Sequence, residues 1–75
     1  MNGSLILQQA DLFAERLKRE AGTDPERQIR QAFWLAFGRP PDGEELDSAR
    51  RLIAEQGLPV FCRALYNANE FLYLN

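Results

Sequence analysis

Residues 22–46 read GTDPERQIRQAFWLAFGRPPDGEEL, and this stretch holds two helix starts and two helix stops. Thr23-Asp24-Pro25-Glu26 puts an oxygen acceptor at the N-cap, proline at the first helical position and an acid in the first turn. The helix so opened has Ile29, Ala32, Phe33 and Ala36 on one face and runs to Phe37. Gly38 supplies a left-handed C′ residue, and Pro40 and Pro41 forbid continuation. Asp42-Gly43-Glu44-Glu45 then opens the next helix. Asp42 can cap the free N–H groups while Glu45, three residues on, reaches back in a capping box.

Working outward, the chain repeats this logic on both sides. Upstream, Ser4 is a suitable N-cap and Gly22 a suitable C′ residue, with Ile6, Ala10, Phe13 and Leu17 forming one helical stripe. Leu5 and Leu12 widen that stripe, and Glu15 faces Arg19 across one turn of the wet side. Downstream, Leu46, Ala49 and Ile53 form a core stripe that Gly57 ends as another C′ glycine, with Leu58 placed for the apolar contact after it. Pro59 stands at the first position of a last helix with Phe61, Leu65, Ala68 and Phe71 or Leu72 inward. Asn67 and Asn69 are weak helix formers, so this helix is expected to end near residue 70. The apolar Phe71-Leu72-Tyr73-Leu74 tail is then expected to dock on the bundle. The fold class is all-α: one domain, residues 1–75, of four short helices at about 4–21, 24–37, 42–56 and 59–70.

Composition sets the energetic frame. Seventy-five residues give one small core, worth roughly 3–5 kcal/mol of stability without a staple. One cysteine and no histidine leave neither an internal disulfide nor a structural zinc set, so packing by the eight aromatic residues must suffice. The net charge of −2 draws the chain to neither nucleic acid nor anionic membrane. No apolar run approaches a membrane span, and the N-terminus lacks the basic region of a signal peptide.

Arg30, Ala32-Phe33, Leu35-Ala36, the Gly38-Arg39-Pro40-Pro41 turn, Glu44-Glu45-Leu46 and the closing Cys62-Arg63-Ala64-Leu65-Tyr66-Asn67-Ala68-Asn69-Glu70-Phe71-Leu72-Tyr73 form one pattern. It resembles the C-terminal part of a domain of unknown function in large planctomycete proteins. Asn2-Gly3 and the first helix are similar to it too, so the resemblance covers essentially the whole chain. The turn is also similar to one in bacterial extracellular helical repeats related to phycobilisome linkers. The first resemblance implies that the chain is the C-terminal module of a longer protein, exported or periplasmic, often with a cytochrome-c-like haem domain near its front. It carries over no site residue. Without Cys-x-x-Cys-His, no covalent haem is expected on these residues, and no cofactor is assigned.

The candidate interaction residues are Trp34, Arg30, Arg27 and Arg39. Trp34 falls beside Arg27 and Arg30 on the helical wheel, away from Ile29, Phe33 and Ala36. Tryptophan among arginines is the composition of a binding hot spot; the plainer alternative is a ring packed under Arg30 or against the tail. Arg39 offers a planar fork for an anion, or, more simply, a bridge across its turn to Asp42, Glu45 or Asp47. Cys62 has no histidine to activate it and reads as a small core residue.

Asn67, Asn69 and Glu70 bring one acid, too few for a calcium cage, and read as cap chemistry. Asp42, Glu44, Glu45 and Asp47 crowd a helix start, where the dipole favours them, and 75 residues give no cleft for an acid pair. A helix-turn-helix reading fails on charge: the would-be recognition helix sets five acids against Arg50 and Arg51. The expected function is a non-enzymatic structural or protein-interaction module that packs on other domains of a parent protein or on another protein. The alternative is an accessory part of a larger enzyme or redox protein, with Arg39 or Glu70 completing a site built elsewhere.

Overall fold

In the computed structural model, which describes the backbone of residues 3–74 and the side chains of residue 5 and residues 7–68, the chain forms four helices. They are α1 (Gly3–Ala21), α2 (Pro25–Phe37), α3 (Gly43–Gln56) and α4 (Leu58–Leu74). α1 packs most extensively on α4, and α2 and α3 close the other side. The shorter extents are both 22 Å, two helix diameters, so the domain is two helical layers around one core.

Each glycine stop has its own conformation. Gly22 and Gly38 have φ of 76° and 68°, which only glycine adopts freely, and the Gly38 N–H closes on the Trp34 carbonyl at 3.0 Å. Gly57 was expected to be another left-handed residue but has φ 96° and ψ 163°, an extended positive-φ region all but closed to other residues. The reason is the linker: α3 ends at Gln56 and α4 begins at Leu58, so one residue must turn the chain. The Gly57 N–H donates to the Ile53 carbonyl at 2.8 Å, while its own carbonyl accepts from Phe61 N–H at 3.4 Å. One glycine closes one helix and opens the next, which puts Pro59 at the second helical position rather than the first.

The helix starts divide. Asp42 and Glu45 form the full capping box, with bonds of 2.8 and 2.9 Å. Asp24 holds the N-cap position before Pro25, yet its side chain makes no cap bond; its backbone carbonyl alone accepts from Gln28. α1 begins at Gly3, so Ser4 lies inside the first turn instead of capping it. α4 continues as helix to Leu74 rather than stopping near residue 70. Two asparagines each cost under about 0.7 kcal/mol relative to alanine, too little to stop a propagating helix. The side chains of Ile6, Asn69, Glu70 and the expected docking tail lie outside the described residues.

The core is Ala10, Ala14 and Leu17 from α1, Ile29, Ala32 and Phe33 from α2, Ala49 from α3, and Leu58, Phe61, Cys62 and Leu65 from α4. Phe13 packs half-buried against it and meets Tyr66 edge-on at 5.9 Å. Three expectations fail. Leu5 and Leu12, 51% and 63% exposed, do not widen the buried stripe, because the face that α4 covers runs through Ala10 and Ala14. Ala68 is exposed, and Glu15 pairs with Lys18 at 3.5 Å instead of with Arg19. Gly57→Ala should cost roughly 1–3 kcal/mol, because the new Cβ meets nothing closer than Pro59 Cδ at 3.7 Å and the penalty is in φ. Thermal unfolding followed by circular dichroism should show a fall of at least about 4 °C.

Candidate functional site

α2 buries Ile29, Ala32 and Phe33, which turns Arg27, Arg30 and Trp34 to solvent. These three repeat at steps of three and four, so they line one outer face. An open depression of about 640 Å³ lies along it. α2 supplies Arg27, Arg30, Gln31 and Trp34; the end of α1 adds Glu20, Ala21 and Gly22, and Pro40 closes the far side. Trp34 is 59% exposed and makes no ring contact or hydrogen bond through its side chain among the described residues, so it is not packed under Arg30.

Two glutamines that the sequence reading passed over fix this corner. Gln28 is buried, and its Nε2 donates to the Gly22 carbonyl at 2.7 Å, satisfying the frayed end of α1. Gln31 Nε2 donates to Glu20 Oε1 at 2.8 Å. No sequence signal marks either: a glutamine within a helix reads as a neutral surface residue. Here both tie α1 to α2.

The charges are mostly paired. Glu20 accepts from Arg16 Nε at 2.8 Å as well as from Gln31, and these bonds, Arg16's first, hold its carboxyl below the usual range. Glu26 Oε2 accepts from Arg30 Nε and Nη2 at 3.1 and 3.0 Å, and its Oε1 takes Arg50 from α3. The Arg30 bond is the main cause that lowers the Glu26 carboxyl. Arg27 has no ion pair or side-chain hydrogen bond among the described residues.

Arg39 is elsewhere. It does not line the depression but forks onto Glu45, Nη1 to Oε1 and Nη2 to Oε2, both at 2.8 Å. Nη1 also reaches the Pro40 carbonyl at 3.0 Å. The guanidinium lies 5.7 and 5.6 Å from the centroids of Phe33 and Phe37, so it roofs the aromatic end of the core. Of the four residues singled out in the sequence, the structure groups Arg27, Arg30 and Trp34 and sets Arg39 apart.

Other features offer little chemistry. Cys62 is fully buried, and burial pushes its thiol up to about 12, the reverse of an activated nucleophile. Asp42 and Glu45 are spent on the cap and on Arg39. Among the described residues no three His, Cys, Asp or Glu side chains gather to hold a metal ion. Nor is any helix there long and apolar enough to cross a membrane. No protein-family profile, no curated protein and no solved structure matches this chain.

Two measurements follow. The bonds from Arg39 and from the Asp42 backbone lower the Glu45 carboxyl from 4.5 to about 2. A depressed folded-state pKa gives stability that is complete above the unfolded value and lost as pH falls through the folded one. The thermal midpoint should therefore drop between about pH 5 and pH 2, and Glu45→Gln should lower the pH 7 midpoint and flatten that drop. The Cys62 thiol should react with an aromatic disulfide reagent at least about a hundredfold faster in denaturant than in the native domain.

Proposed function

We propose that this chain is a non-catalytic helical interaction module, the C-terminal part of a longer protein, which docks on other domains of that protein or on another protein through the outer face of α2. The supporting observation is Trp34, a large amphipathic ring left 59% exposed on α2 beside Arg27, which has no ion pair among the described residues. Burying such a ring on a partner removes up to roughly 150–250 Å² of its surface from water, and tryptophan and arginine dominate hot spots for that reason. A loop residue would have to be ordered on binding; Trp34 is already held by the helix, so less entropy is lost.

The resemblance to the planctomycete domain supports the same reading and suggests an exported or periplasmic parent. The alternative, an accessory role in a larger enzyme or redox protein, loses support at Arg39, whose guanidinium is already forked on Glu45.

Trp34→Ala tests the proposal. Its ring supports no core contact, so stability should change by less than about 0.5 kcal/mol. Tagged wild-type chain should retain a partner from extracts of the source cells, and the equally folded variant should lose it. Equal retention by both chains defeats the reading.

A further inference from the structure

The depression beside Trp34 is asymmetric in charge. It holds one acid, Glu20, and two bases, Arg27 and Arg30. Both oxygens of Glu20 are already taken, Oε1 by Gln31 and Oε2 by Arg16. Glu26, the acid that serves Arg30, is likewise paired on both sides, with Arg30 on one oxygen and Arg50 on the other. The carboxylates of Glu20 and Glu26 are thus each already neutralised by arginine. Among the described residues Arg27, by contrast, keeps its whole fork of donors, and Arg30 spends only Nε and Nη2 on Glu26. The charge left without a partner in the depression is therefore that of Arg27. Trp34 and Pro40 supply apolar surface beside it.

We infer that this face takes an acidic peptide segment of a partner protein, a carboxylate forked by Arg27 with a neighbouring apolar side chain laid on Trp34 against Pro40. This rests on the docking role given to the α2 face above and adds the chemistry of its occupant. A guanidinium matches a carboxylate with two parallel N–H···O bonds, and bidentate pairs of this kind are the stronger class of charge-assisted bond. A basic segment meets the reverse: the uncompensated positive charge of Arg27.

Trp34 is the only tryptophan, so its emission reports on this site alone. The probe is a blocked synthetic peptide in which Asp and Glu alternate with Leu and Phe; its counterpart carries Asn and Gln in place of the acids. The acidic peptide should shift the Trp34 emission to shorter wavelength, bind about five- to tenfold more tightly than the amide peptide, and weaken as salt rises. Arg27→Gln should erase that preference. Arg51→Gln, a charge change outside the depression, should keep it. Equal affinity for the two peptides, or an unaltered preference in Arg27→Gln, overturns the acidic occupant while leaving docking at Trp34 in place. No shift with either peptide overturns it as well, and the retention experiment with Trp34→Ala then decides separately whether the face docks anything.

Discussion

The seating of Phe33 organises the rest of the domain. Its ring stacks on Phe61 of α4 with centroids 6.4 Å apart and meets Phe37 at 5.3 Å. Arg39 lies over the ring and is itself held by Glu45 of α3. One buried ring thus joins α2 to α4 directly and to α3 through a cation. In a domain with only a few kcal/mol of net stability, a contact shared by three helices matters more than the area of any one side chain suggests. It also sets the rotation of α2. With Phe33 inward, the next residue lies about 100° round the helix, and Trp34 is thereby turned to water.

The cap at α3 is coupled to that seat. Glu45 does three things: it completes the capping box with Asp42, it accepts both arms of Arg39, and it thereby fixes the cation over Phe33 and Phe37. Isolated surface ion pairs contribute little because holding two long side chains costs as much entropy as the attraction recovers. Here each group is already held by another bond, so less freedom is lost per contact. A bridge of this kind also explains why Arg39 is poor material for a binding site: its charge is already matched by Glu45 and most of its donors are engaged before any ligand arrives.

Much of this was legible in the chain. Gly22, Gly38 and the Asp42–Glu45 pair stand where local rules put them, and Ile29, Ala32 and Phe33 face inward as their spacing requires. The exposed face of α2 was legible by subtraction, since what is not in the stripe must face away. Arg27, Arg30 and Trp34 could be grouped on those grounds alone. The ties that shape the site were not: Gln28 reaches a carbonyl six residues back and Gln31 an acid eleven residues back. Such bonds depend on the angle between two helices, to which composition and periodicity are blind.

The stops at Gly22 and Gly38, the capping box at Asp42 and the inward face of α2, then, were determined by the sequence itself, because caps, prolines, glycines and apolar spacing act within a few residues of one another. Tertiary structure decided which apolar stripe α4 would cover, leaving Leu5 and Leu12 in water. It decided that Gly57 would be an extended joint rather than a left-handed cap, because α4 had to start one residue later. And it decided that Arg39 would roof the core while Arg27 stayed free. Each of these turns on how one helix is set against its neighbour, which is fixed only when the helices pack.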